Sequence, residues 1–276
     1  MELWKAIGLG VLQGLAEFLP VSSSGHLTLF QMLFGLEDIP MTLDILLHIG
    51  TLAAVFAVYW KRIWNMILHP FKSELKWLVL ATIPAVVAAL TVSDVIEAAF
   101  EGQYLGACFL LTSFVLLAGE ALGSFRKERH KHVKWYDALA MGVMQAFAIL
   151  PGLSRSGSTL AGGLATGLKR KKAADFAFLM SIPAILGSLV LDVKDMFDAA
   201  QELGVPFMTH LGDVFAQMGG VGMVLLSMAV AAVVGFVAIK CMVRIVRKGH
   251  LKWFAVYTCL LGLAVIAWQL VQGGML

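Results

Sequence analysis

Two short stretches of this 276-residue chain gather the side chains that could do phosphate chemistry. The first runs Gln13-Gly14-Leu15-Ala16-Glu17-Phe18-Leu19-Pro20-Val21-Ser22-Ser23-Ser24-Gly25-His26, and the second Pro151-Gly152-Leu153-Ser154-Arg155-Ser156-Gly157-Ser158-Thr159. Gln13 and Glu17 are four residues apart, so on a helix they share one face. Two oxygen-bearing side chains placed this way can hold a hard divalent cation, Mg²⁺ or Ca²⁺, together with phosphate oxygens. They can equally well bond a neighbouring helix. Ser22, Ser23, Ser24 and Gly25 offer hydroxyls and closely spaced amides at a helix start, where anions bind readily. Ser154, Ser156, Gly157, Ser158 and Thr159 repeat that chemistry around Arg155, whose planar guanidinium matches phosphate oxygens in pairs. The purely structural alternative is a set of N-capping serines with Arg155 paired to Glu17.

His26 suits three roles: nucleophile, general acid for a leaving group, or hydrogen-bonded core histidine. Phosphoryl transfer asks mainly for positioning and for neutralisation of the equatorial oxygens. An arginine, a cation and oriented amides supply both. A phosphorus held here could be attacked by His26, by Ser23, or by a water that Glu17 or His26 activates; the residues alone do not choose.

The elements that must position these groups belong to a membrane. The chain is 59% hydrophobic and 14% charged, against about 25% charged in a soluble domain. The net charge is only +3, and each basic cluster caps an apolar run, which argues against a nucleic-acid partner. Cys108, Cys241 and Cys259 lie in apolar stretches without disulfide or zinc spacing. The first apolar run is interrupted by Glu17 and Pro20, so no cleavable signal peptide is expected.

Apolar runs long enough to cross a bilayer fall at about 43–60, 76–94, 104–123, 173–193, 219–243 and 252–272. Two further regions, about 3–35 and 136–168, are broken by the two motifs. Irregular backbone at membrane depth requires surrounding protein or a watery cavity. Both regions therefore read as re-entrant helical hairpins. Lys61, Arg62, Lys72 and Lys76 form one basic cluster, Arg126, Lys127, Arg129, Lys131 and Lys134 a second, Lys169 to Lys172 a third, and Arg244, Arg247, Lys248 and Lys252 a fourth. The intervening loops, about 95–103 and 194–218, are acidic, carrying Glu97, Glu101, Asp195, Asp198, Glu202 and Asp213. Six crossings and two non-crossing hairpins place every basic cluster on one face and both termini outside.

Leu12-Gln13-Gly14 matches Met144-Gln145-Ala146, and each is followed by Leu-Pro and a Ser-Gly-rich turn. Three crossings separate the copies, so the second is inverted, and inverted repeats meet at a site near the midplane. The expected fold is an all-α integral membrane protein: one domain over 1–276, with repeats at about 1–123 and 136–272 joined by a linker at 124–135. Asp44 and His48 share a helix face and are expected to line the cavity or add to a metal shell. Thr51, Thr82 and Thr112 are expected to bond carbonyls of their own helices.

The two motifs resemble those of the bacterial undecaprenyl-diphosphate phosphatases, also called bacitracin-resistance proteins, and the resemblance covers essentially the whole chain. The family's acidic motif, Glu or Gln, three residues, then Glu, falls on Gln13 and Glu17. Its Pro-Val-Ser-Ser-x-Gly-His run falls on Pro20 to His26, and its Pro-Gly-x-Ser-Arg-Ser-Gly run on Pro151 to Gly157. Many members carry Glu where this chain has Gln13, which removes one formal charge from a cation site. The resemblance implies hydrolysis of undecaprenyl diphosphate to the monophosphate in the bacterial plasma membrane. It also implies recycling of the lipid carrier for peptidoglycan synthesis and tolerance to bacitracin. Transport of a polyprenyl phosphate is the competing expectation, since opposed half-helices also suit a transporter. A homodimer is compatible with this reading.

Overall fold

The computed structural model describes residues 2–36, 40–91, 102–125 and 130–271. Those residues form eleven helices: α1 (Leu3–Ala16), α2 (Ser23–Leu33), α3 (Thr42–Leu68), α4 (Leu75–Thr91), α5 (Leu105–Phe125), α6 (Trp135–Phe147), α7 (Arg155–Ala165), α8 (Arg170–Glu202), α9 (Phe207–Gln217), α10 (Val221–Lys248) and α11 (Leu251–Val271). No strand occurs among them beyond an isolated bridge between His130 and Leu168.

Five helices (α3, α5, α8, α10 and α11) are long and apolar enough to cross a membrane, and α1 and α4 are shorter apolar helices. Each expected run thus has its helix. The run at 76–94 corresponds to α4, and its last residues lie outside the described part, as do Glu97, Glu101, Arg126, Lys127 and Arg129. Large apolar side chains cover the exterior, including Trp60, Trp64, Val87, Phe114, Leu225 and Val233. Such a surface is stable in lipid rather than water.

The acidic stretch at 194–218 is helical rather than a loop. α8 runs on to Glu202 through Pro183, and α9 follows after Gly204, whose φ is +66°. Lys194 donates to Asp198 at 2.7 Å, one turn on, and Ala199, Ala200 and Gln201 favour continuation of the helix.

The two broken regions become helix pairs, α1/α2 and α6/α7, separated by turns at 17–22 and 148–154. The open end of the first is held by Lys5 Nζ, which donates to Phe34 O at 3.1 Å, and by an edge-on contact of Trp4 with Phe34. The open end of the second is closed by His130 N to Gly167 O at 3.1 Å and Lys169 N to His130 O at 3.0 Å.

Packing between helices relies on small residues. A Cβ on Gly14 would meet Ala231 O of α10 at 2.8 Å, and one on Gly142 would meet Ala81 O of α4 at 2.5 Å. Backbones can approach this closely only where no side chain intervenes. α1 packs on α10 as α6 packs on α4, and α3 and α8 also pack on each other.

The described basic clusters gather at one end of the bundle. Arg62 and Lys172 both pair with Glu74, and Arg62 Nη1 lies 3.8 Å from Asp175. Arg170 grips Glu120 with two nitrogens, at 2.8 and 2.5 Å, beside Gly249 at the start of the α10–α11 turn. At the opposite end Thr42 Oγ1 donates to Asp192 Oδ1 at 3.0 Å, so α3 and α8 run antiparallel.

Candidate active site

The tips of the two helix pairs touch. A Cβ on Gly25 would lie 2.7 Å from Gly152 Cα, and one on Gly157 would lie 3.2 Å from Pro20 Cβ. Ser156 Oγ donates across the junction to Leu19 O at 3.0 Å.

Each turn is built by the same device. Ser22 caps α2 by accepting from Gly25 N at 3.3 Å, and Ser154 caps α7 by accepting from Gly157 N at 3.1 Å. Such caps contribute roughly 1 kcal/mol each. Ser22 has φ +72° and is the one non-glycine residue with positive φ among the described residues. Strain of this kind costs about 1–3 kcal/mol and clusters at functional sites. The second turn is braced from α5: Thr112 Oγ1 accepts from Ser154 N at 2.9 Å and donates to Gly152 O at 2.8 Å. Thr112 therefore bonds a turn 40 residues away, not its own helix as expected from sequence; Thr51 and Thr82 do bond carbonyls of their own helices.

Glu17 sits at the C-cap of α1 with both carboxylate oxygens occupied. Oε1 accepts from the Arg155 guanidinium. Oε2 accepts from Ser23 Oγ at 2.6 Å and from Gln13 Nε2 at 3.3 Å, and faces His48 Nε2 at 3.2 Å. Glu17 is only 3% exposed, so its charge is desolvated and depends on these partners. His48 is oriented by Nδ1, which donates to Asp44 O at 2.6 Å, and Asp44 Oδ1 accepts from Gln31 Nε2 of α2 at 2.9 Å. His48 thus reaches the carboxylate itself, whereas Asp44 serves its support.

Of the expected site residues, Gln13, Glu17, Ser23 and Arg155 converge on one carboxylate. Ser22, Ser154, Ser156, Gly25 and Gly157 build the turns that bring them there. Ser24 Oγ lies 3.4 Å from Ser22 Oγ. Thr159 is fully buried and donates to Arg155 O at 2.9 Å, bracing the first turn of α7. His26 is directed elsewhere: Nδ1 lies 2.7 Å from Ser22 O and Nε2 lies 2.7 Å from the hydroxyl of Tyr257. Tyr257 and Thr112 sit in featureless apolar runs, and no sequence signal sets them apart.

Among the described residues no three His, Cys, Asp or Glu side chains come together as a metal cage. Gln13 Oε1, however, is fully buried and has no hydrogen-bond partner. An orphaned oxygen on a side chain whose amide nitrogen already contacts the carboxylate suits a hard cation whose shell is completed by oxygens of a ligand.

An all-helical membrane protein in which two broken helices share one buried carboxylate–guanidinium pair is a narrow class. The chain belongs to the bacitracin resistance protein BacA family, whose model matches residues 6–264. An undecaprenyl-diphosphatase of Carboxydothermus hydrogenoformans is 39% identical over 271 residues, covering 98% of each chain. Proteins of the same name from Halothermothrix orenii and Rhodopirellula baltica are 36% identical over 271 residues and 37% identical over 265, each covering 96% of this chain and 98% and 97% of their own length.

Proposed function

We propose that this protein is an undecaprenyl-diphosphatase, releasing phosphate from undecaprenyl diphosphate to regenerate the monophosphate carrier for cell-wall synthesis and conferring bacitracin tolerance. The observation that carries this reading is the pairing of Arg155 with Glu17 where the two helix tips meet. A guanidinium spends one nitrogen on Glu17 and keeps further N–H donors for phosphate oxygens. The first-turn amides of α2 and α7 add partial positive charge.

The two helix pairs are re-entrant hairpins entering from opposite faces, and α3, α4, α5, α8, α10 and α11 are six crossings. The halves, about 1–123 and 136–272, form an inverted repeat within one membrane domain. The matched packing of α1 on α10 and α6 on α4 supports this, as do the paired serine caps. The gathered basic ends support a cytoplasmic assignment for that face, with both termini outside. A homodimer is compatible with the exposed apolar exterior.

Ser23 is the nucleophile the geometry favours. Its hydroxyl donates to Glu17 at 2.6 Å, the relation of a nucleophile to its general base. As Ser23 Oγ bonds to the terminal phosphorus, its proton passes to Glu17 and the anhydride P–O bond breaks. Polyprenyl monophosphate leaves, and water then hydrolyses the phosphoserine. His26, at the first turn of α2 with its ring facing α11 rather than Glu17, is assigned the proton released by the water in that second step. Glu17 and Gln13 would hold Mg²⁺ or Ca²⁺, which when bound supplies charge neutralisation at the phosphate oxygens.

Phosphate release by purified protein in detergent, with and without chelator, tests the reading. Release that falls in His26→Ala and under chelation is expected. Lipid translocation without release would make the protein a transporter instead. Phosphoserine trapped at Ser23 by rapid quench is expected, and its absence would transfer the attack to water.

A further inference from the structure

His26 is clamped from two helices distant in sequence. Phe109 of α5 meets its ring edge-on, with centroids 5.3 Å apart at 80°, and Tyr257 of α11 lies nearly parallel at 5.7 Å and 15°. The ring's tautomer follows from its partners. Ser22 O can only accept, so the nitrogen 2.7 Å away, Nδ1, carries the proton. Nε2 of the neutral ring is then an acceptor, and the phenol 2.7 Å away donates to it.

Tyr257 lies in the second turn of α11, a largely apolar helix in which a hydroxyl needs a partner. Its neighbour Thr258 satisfies its own hydroxyl on Phe254 O, at 3.0 Å, and Ala255 O, at 3.2 Å. Tyr257 instead spends its hydroxyl on His26, which is 8% exposed, while Tyr257 as a residue is 46% exposed. The phenol thus stands between the imidazole and the surface of the bundle.

We propose that Tyr257 is a positioning residue for the reaction, holding His26 with Nε2 unprotonated and aligned to exchange a proton. This rests on His26 acting in phosphate release. When Nε2 gains a proton from the water that attacks the phosphoserine, the imidazolium N–H donates to the phenol oxygen, and the phenol hydrogen turns away. A hydroxyl serves both states because it donates and accepts, and a phenyl ring serves neither. Loss of alignment by an ångström is enough to cost one or two orders of magnitude in rate.

Tyr257→Phe keeps the ring and removes only the hydroxyl. The expected result is a kcat lowered about tenfold, with KM within about twofold of wild type, because the substrate-binding groups on Glu17 and Arg155 are untouched. The ¹⁵N resonance of His26 Nε2, assigned by its disappearance in His26→Ala, should lie in the unprotonated range and move in Tyr257→Phe. A wild-type kcat in Tyr257→Phe, or an unmoved Nε2 resonance, overturns the proposal. Wild-type turnover by His26→Ala would instead remove His26 from the reaction, a failure distinct from an absent Tyr257–His26 bond.

Discussion

Arg155 reaches across 138 residues of sequence to donate to Glu17 Oε1, so the carboxylate of one broken helix is neutralised by the guanidinium of the other. Removing one member of a buried pair leaves the other charge uncompensated, at about 3–5 kcal/mol. Arg155→Ala and Glu17→Gln should each destabilise the solubilised protein. The double variant should cost clearly less than their sum, because no stranded charge remains. Unfolding midpoints of the four proteins in one detergent give the coupling, and additive losses would mean the two residues do not meet.

Closeness of the two tips depends on hydrogen atoms at Gly25 and Gly152. A methyl on Gly25 would sit 2.7 Å from Gly152 Cα and 2.8 Å from Phe109 Cζ. Gly25→Ala should separate the tips, costing about 1–3 kcal/mol and most of the phosphate release. Gly187→Ala is the matched control, since nothing lies within 4 Å of its added carbon, and it should behave as wild type in both assays.

Thr112 supports Arg155 without touching it. Thr112→Val keeps the shape but strands Ser154 N and Gly152 O in the interior, at about 2–4 kcal/mol for the two groups. Thr112→Ser should recover most of the loss, whereas equal losses in both would assign the effect to packing of the methyl group.

Glu74, in the turn before α4, supplies a pH dependence away from the site. Burial pushes its carboxyl up, but Arg62 and Lys172 outweigh this and hold it below the usual carboxylate range. A folded value below the unfolded one means the folded state binds fewer protons. The contribution is therefore fully present above roughly pH 4.3, the ordinary glutamate value, and is lost as pH falls through the folded value. Glu74→Gln should cost about 1–2 kcal/mol near pH 7 for this partly buried network, with the gap closing in acid. A gap independent of pH down to 3 would contradict the assignment.

Periodicity and charge made most of the fold legible, because a bilayer forces long apolar runs and marks breaks such as Pro20 and Pro151. The acidic stretch after Val193 reads as a loop from its charges yet folds as helix, because charged residues also suit a helix leaving the membrane. Gln13, Glu17, Ser23 and Arg155 could be recognised because their chemistry is out of place in lipid. Thr112 and Tyr257 could not, since their hydroxyls acquire meaning only from partners 40 and 231 residues away. The motifs group His26 with Glu17 and Arg155, but its ring turns toward α11.

The central claim is that Arg155 and Glu17 together form the diphosphate site. Phosphate release from undecaprenyl diphosphate by purified wild type and Arg155→Ala, at saturating substrate, tests it most directly. We expect turnover lowered by about 10³, as for loss of a charged donor to a transferring phosphoryl group. Turnover by Arg155→Ala equal to that of the wild type would contradict the account.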